Sequence, residues 1–213
     1  KYKPKILSLA NPDSPTGQII FSKDLELIFK QSLESNTIVL LDEAYFMFYK
    51  NTKVSRIKKF PNLIITRSFS KAFAIAGLRV GCVISNKEII KYLNGFKPMY
   101  EIGFNSSYIL QNLLTKQGLK IVKKNTKELL NSKKYFIKEL TKMNFKVINS
   151  EGNFVHVNFG LYKNKIISRL KKIVIFRENE THNSLKNFTR FTITSKKNFD
   201  LILREVKKIV ITR

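Results

Sequence analysis

A chain of 213 residues with 43% hydrophobic and 12% aromatic side chains can bury a sizeable core, as one large domain or two small ones. Its 40 Lys and Arg residues against 15 Asp and Glu leave a formal charge of +25, but the lysines recur along nearly the whole chain, so a diffuse solvated surface is expected ahead of a polyanion site. One cysteine, Cys82, excludes an intramolecular disulfide framework and any multi-cysteine metal site, and no apolar run nears the roughly 18 residues of a membrane span.

In chain order, "KILSLA" predicts a strand that ends in the turn "NPDSPTG". Ser22 is expected to cap a helix whose Asp24 and Glu26 suit its positive end, with Leu25, Ile28, Phe29 and Leu33 on one face. The runs "TIVLL", "NLIITR" and "RVGCVIS" follow as strands, and this alternation of strands with helical patterns predicts a parallel sheet covered by helices. From about Asn105 two long helices are expected, "YILQNLLTKQGLKIVKK" and "TKELLNSKKYFIKELTKMN". Strand candidates "FKVINS", "NFVHVNF", "KIVIFR" and "FTRFTIT" come next, with helices at about Ile166 to Lys172 and Phe199 to Val210. The expected division is 1–104 and 105–213, the second part being a smaller α+β domain. A cytoplasmic location is expected from the single thiol and from the charged start "KYKPKILSLANP", which is no signal peptide.

The clusters "NPDSPTG", "DEAY" and "RSFSK" each follow an apolar strand run directly. In open α/β sheets ligands bind beyond the carboxyl ends of the strands, so one crevice could hold all three. Lys71 would act as a nucleophile only if its amine lost its proton near neutral pH, which burial or a neighbouring positive charge brings about. Ser68 and Ser70 flank it with hydroxyls and backbone donors, Ala72, Ala74, Ala76 and Gly77 allow close packing, and Arg79 can clamp a phosphate with two parallel bonds. An amine beside a phosphate site suggests a phosphorylated cofactor bound covalently. Asp42, at the end of "TIVLL", needs a partner in a mostly dry setting, and a protonated pyridine nitrogen would be one. Tyr45 could donate its phenol to a ring oxygen. Taken singly, "DEAY" reads equally well as a polar exit from a strand and "NPDSPTG" as ordinary loop punctuation, and Arg190 in "FTRFTIT" as a strand residue facing water. His156 and His182 lack metal-ligand spacing and are expected to be structural or exposed, with no metal site; Cys82 reads as a small buried hydrophobe.

The segments "NPDSPTG" (11–17), "DEAY" (42–45), "SFSKAFAIAGLRVG" (68–81) and "FTRFTIT" (188–194) resemble those of fold-type I pyridoxal-phosphate enzymes. Within that group the chain is similar to class I/II aminotransferases of the histidinol-phosphate aminotransferase type, a likeness that "KPMYEIGFN" and "SEGNFVHVNF" extend over nearly its whole length. The resemblance implies an α/β fold: part of a PLP-transferase-type large domain, with a mainly parallel sheet and flanking helices, in 1–104, then a small α+β C-terminal domain in 105–213. It implies pyridoxal 5'-phosphate as cofactor, held by Lys71 as a Schiff base, with the same lysine later moving the substrate's proton. Asp42 would pair with the pyridinium nitrogen, Tyr45 would bond the ring's phenolic oxygen, and Ser68, Ser70 and Arg79 would hold the phosphate. Arg190 would fork onto the substrate's α-carboxylate, with Asn153 near the substrate side by analogy alone. Ser14 stands where the family's turn usually has an Asn that bonds the ring oxygen, and the long segment that precedes this region in the family is missing, so the chain is expected to be part of something longer. The implied activity is transamination between a small-molecule amino donor and an oxo acceptor, in a homodimer, with no membrane and no specific nucleic acid. A decarboxylase of an amino-acid phosphate on the same fold, and a non-catalytic polyanion-binding fragment, are the alternatives.

Overall fold

Alternate apolar residues build the first sheet. Strand β1 (Ile6–Ala10) pairs in parallel with β2 (Ile38–Asp42), β2 in parallel with β3 (Leu63–Ser68), and β3 antiparallel with β4 (Gly81–Ile84). These elements belong to a computed structural model that describes residues 3–178 and 182–211. Helix α1 (Ser22–Glu34) lays Leu25 and Phe29 against Val39, Leu41, Phe60, Leu63 and Ile65, all of them buried, with the Phe29 and Phe60 rings 5.4 Å apart. The parallel register Ala10↔Asp42↔Thr66 sends the three polar clusters out of the sheet at the same end.

Ser22 is not the cap of α1. Phe21 occupies that position with extended backbone and no capping side chain, and Ser22 is the first helical residue. Its hydroxyl is already engaged, accepting from Asn51 Nδ2 at 2.9 Å and from the buried Lys53 Nζ at 2.7 Å. Helix α2 (Lys87–Asn94) has no counterpart among the expected elements, although Asn86 caps it plainly, with Oδ1 accepting from the Ile89 amide at 2.8 Å.

Two helices follow, α3 (Phe104–Leu113) and α4 (Lys116–Lys142), but the break falls earlier than residue 125, where the two expected helices divide. Thr115 makes it: its hydroxyl donates to the Asn112 carbonyl at 2.8 Å and accepts from the Gly118 amide at 3.1 Å, closing one helix and opening the next. Thr126 lies buried inside α4.

The chain divides into two compact units, Lys1–Lys123 and Lys124–Arg213. This division comes later than 104/105 because Leu110, Leu113, Leu119 and Val122 pack on Phe69, Phe73 and Val80 of the first unit. The second unit carries an antiparallel sheet in the order β5 (Lys146–Asn149), β6 (Phe154–Asn158), β8 (Thr189–Thr192), β7 (Arg177–Glu178). Its helices α5 (Lys163–Leu170) and α6 (Lys196–Ile211) bury Ile166, Leu170, Phe199 and Val206, and Phe136 stacks on Phe199 with centroids 4.0 Å apart. Most of "KIVIFR" is not strand. The Ile173 and Val174 amides both donate to the Leu170 carbonyl at 2.9 Å, so this backbone finishes α5, and Ile175 is 98% exposed.

The architecture is therefore α/β, a mainly parallel sheet with flanking helices followed by a smaller α+β unit. Among the described residues no helix is long and apolar enough to cross a membrane, and no three His, Cys, Asp or Glu side chains gather as a metal ion would need.

Candidate active site at the strand ends

The loop after β1 is closed by its own polar groups. The Asn11 amide donates to the Asp42 carbonyl at 2.9 Å, its buried Oδ1 accepts from the Ile20 amide at 2.8 Å, and the Thr16 hydroxyl donates to Asp13 Oδ2 at 2.6 Å. Gly17 takes φ +71°, a left-handed conformation that glycine adopts without strain, while its amide donates to the Asp13 carbonyl. Ser14 is exposed within this turn.

Beyond β2 two neighbouring carboxylates have different surroundings. Asp42 Oδ1 accepts from the Ala44 amide at 3.0 Å and from the Thr66 hydroxyl at 3.1 Å; among the described residues no hydrogen bond reaches Oδ2. Glu43, 3% exposed, is fully engaged: it accepts from Arg67 Nε and Nη2 at 3.1 and 2.9 Å, from the Thr52 hydroxyl at 2.7 Å and from the Lys53 amide at 2.6 Å. A buried carboxylate needs such donors. Arg67 also lies with its guanidinium carbon 4.4 Å from the centroid of the Phe46 ring. Asp42 thus keeps acceptor capacity for something else, whereas Glu43 staples the loop.

Beyond β3 the Ser70 amide donates to Ser68 Oγ at 3.0 Å, turning the chain toward Lys71. Buried Phe69 and Phe73, with centroids 4.9 Å apart edge to face, anchor the backbone on either side, so Lys71 is exposed on a fixed loop. Its Nζ lies 5.8 Å from the centroid of the buried Tyr45 ring. Arg79 follows a short 3-10 turn at Ala76–Leu78 and adopts φ +54°, and Ala74 adopts φ +57°; a non-glycine residue in that region costs about 1–2 kcal/mol. Arg79 is exposed, with Nη1 donating to the Ala76 carbonyl at 3.1 Å. Gly81 sits opposite Ser68, where an added Cβ would meet the Arg67 carbonyl oxygen at 2.7 Å.

The structure thus brings Lys71 to Tyr45, three residues past Asp42, with Ser68 the last residue of β3 and Ser14, Ser70 and Arg79 on loops next to the same strand ends. Arg190 and Asn153 belong to the second unit. Arg190, on β8, lies half-buried opposite His156 with its guanidinium carbon 5.2 Å from the Phe154 ring centroid, and the Asn153 carbonyl accepts from the Ile193 amide at 2.8 Å. His156 is fully buried and packs edge-on against Phe154, while His182 Nδ1 stands 3.1 Å from Ser184 Oγ. Cys82 is half-buried, and burial pushes its thiol up although the Arg67 charge pulls the other way.

Sequence reasoning missed Glu43, Thr66, Arg67 and Lys133. Lys133 is 4% exposed on α4, donating to the Ser150 carbonyl and, at 3.0 Å, to the Gly152 carbonyl; burial pulls its amine down to about 8. It read as part of the diffuse solvated lysine surface, but it precedes Phe136 and Leu140 by three and seven positions, the spacing of one buried helix face.

A family model described as aminotransferase class I and II matches residues 1–206. The histidinol-phosphate aminotransferase of Thermoanaerobacter sp. (strain X514) is 37% identical over 212 residues, which make up 99% of this chain and 59% of that relative. The crystal structure of the histidinol-phosphate aminotransferase from Clostridium acetobutylicum superposes with a TM-score of 0.85 at 25% identity, covering 98% of this chain and 65% of that one. The Sinorhizobium meliloti histidinol-phosphate aminotransferase, solved in complex with pyridoxal-5'-phosphate, shares the fold at a TM-score of 0.81 and 24% identity, covering 98% of this chain and 58% of that one. The chain spans about three fifths of the length of the curated relative it matches. With the match running from residue 1, ahead of β1, through most of α6, the chain belongs to the class I and II aminotransferases.

Proposed function

We propose that this chain forms part of a pyridoxal-phosphate-dependent aminotransferase, with Lys71 as the residue that bonds the cofactor and moves the substrate's proton. The observation that carries the reading is the convergence at the ends of parallel strands: an accessible amine at Lys71 beside Tyr45, and Asp42 with one carboxylate oxygen already bonded and the other open. That donor set fits the proposed cofactor, since the open Asp42 Oδ2 can accept from a protonated ring nitrogen. The relatives' names support the same reading.

On this reading Asp42 holds the ring nitrogen, Tyr45 and Ser14 address the ring's oxygen, and Ser68, Ser70 and Arg79 hold the phosphate, the last as a two-pronged donor. When bound, the pyridine ring supplies an electron sink for the charge left on the substrate's α-carbon. Lys71 would take the proton from that carbon as a general base and give it up again on the cofactor side. Arg190 donates in a fork to the substrate's α-carboxylate, with Asn153 beside it. The substrates are an amino-acid or amino-phosphate donor and an oxo acceptor. A homodimer is part of the proposal. Tyr92, Phe96, Met99, Tyr100 and Phe104 are each more than two thirds exposed, and such apolar side chains are what a second copy would cover. A cytoplasmic setting fits the free thiol of Cys82.

The test is a visible spectrum with added pyridoxal 5'-phosphate, borohydride reduction and peptide mapping, set against Lys71→Ala. A pyridoxyl group trapped on Lys71, absent from the variant, is the expected result; trapping spread over several lysines, or equal in the variant, sinks the proposal.

A further inference from the structure

Thr66 has no part in the roles given above, yet it is bound to the residue on which the cofactor reading turns. Its hydroxyl donates to Asp42 Oδ1 at 3.1 Å, and the two residues are in register on the parallel pair β2–β3. The Ala44 amide donates to the same oxygen at 3.0 Å. Both donors fall on Oδ1, and among the described residues none reaches Oδ2.

The two bonds differ in what they fix. The Ala44 amide closes a local turn that moves with the Asp42 backbone, so by itself it leaves the carboxylate tied only to its own loop. Thr66 reaches it from the neighbouring strand. Thr66 is itself restrained: it is β-branched, pairs with Val83 on β4, and accepts from the Glu43 amide at 2.9 Å through its carbonyl. A hydroxyl held by three strands therefore sets the rotation of the carboxylate plane and occupies Oδ1, so that Oδ2 is the oxygen presented to a ligand.

We propose that Thr66 is the positioning residue of Asp42, holding its carboxylate so that Oδ2 faces the ring nitrogen of a bound pyridine cofactor. This rests on the cofactor reading given above. The consequence is that the ring nitrogen's protonation depends on a hydroxyl that never touches the cofactor.

The experiment compares wild type, Thr66→Val and Thr66→Ser, alone and in an Asp42→Asn background. It reads the dissociation constant for pyridoxal 5'-phosphate and the resonance of a 15N label in the cofactor ring. Loss of a hydrogen bond to a charged group predicts about tenfold weaker binding in Thr66→Val, with the 15N signal moved toward that of a neutral pyridine. Thr66→Ser keeps the hydroxyl and stays within about twofold of wild type. In the Asp42→Asn background Thr66→Val adds no further loss, whereas general damage to the sheet would subtract the same amount again. Binding and 15N signal unchanged in Thr66→Val, equal damage in both Thr66 variants, or equal losses in the two backgrounds would each overturn the proposal while leaving the cofactor reading intact. A wild-type chain that binds no cofactor at Lys71 overturns the cofactor reading, and the role of Thr66 with it.

Discussion

Arg67 Nη2 donates to Glu43 Oε2 at 2.9 Å, and each partner is the immediate neighbour of a candidate site residue, Ser68 in one case and Asp42 in the other. The pair ties the end of β2 to the end of β3. Glu43→Gln keeps hydrogen-bonding capacity but leaves the guanidinium without its counter-charge, while Arg67→Met leaves the buried Glu43 side chain without its partner. Breaking a buried pair from one side costs about 3–5 kcal/mol, so both variants should lower the urea midpoint, Arg67→Met more. A midpoint equal to wild type in Arg67→Met would show that the pair does not hold the strand ends together.

Lys71→Ala should separate chemistry from stability. The side chain is exposed, and surface changes of this kind stay within about 0.5 kcal/mol, so the denaturation curve should match wild type. Amino transfer should fall by at least about 100-fold, because the proposed general base is gone. Curve and rate, measured on the same preparation, check this; a rate preserved in Lys71→Ala removes the lysine from the mechanism.

Lys133 gives the second unit a pH dependence of definite sign. Its folded value of about 8 lies below the ordinary 10.5, so between these values the unfolded chain binds the proton more firmly and stability rises with pH. In the first unit, burial also lowers Lys53, which gives that unit a dependence of the same sign. Tyr135, whose hydroxyl donates to Asp200 at 2.6 Å, is raised to about 12 from 10, so its contribution is present below pH 10 and lost above it. Chemical denaturation at intervals from pH 7.5 to about 10 should show the rise. It should shrink in Lys133→Gln; a wild-type curve that falls across this range contradicts the buried placement of the amine.

Gly81→Ala should damage the strand pair that carries Ser68. The new Cβ would meet a backbone oxygen that cannot swing aside, and overpacking of this kind costs about 1–3 kcal/mol. Hydrogen exchange should quicken at the amides joining Ser68 and Gly81, with the second unit's sheet unchanged.

The strands and the three polar clusters were legible because alternation and turn residues are local signals: β1, β2 and β3 lie where "KILSLA", "TIVLL" and "NLIITR" place them. Helix breaks were less so. Thr115 ends α3 through a hydroxyl that bonds both ways, and nothing in its residue type distinguishes it from Thr126, which lies buried within α4. The unread part of the candidate site was the partners. Thr66 and Arg67 meet Asp42 and Glu43 across a strand pairing whose register sequence alone does not state, and Lys133 looked solvated because its acceptors are carbonyls from a distant loop. Lys71 and Asp42 stood out through their motifs; that the lysine is exposed, that one Asp42 oxygen is unbonded among the described residues, and what holds both in place required the fold.

The division at Lys123/Lys124 has a consequence for how such a protein can change. Every residue assigned to the cofactor lies before it, and both residues assigned to the substrate's carboxylate side, Asn153 and Arg190, lie after it. If the proposed roles hold, a new donor can be explored by substitutions in the second unit while the first keeps the groups assigned to the cofactor.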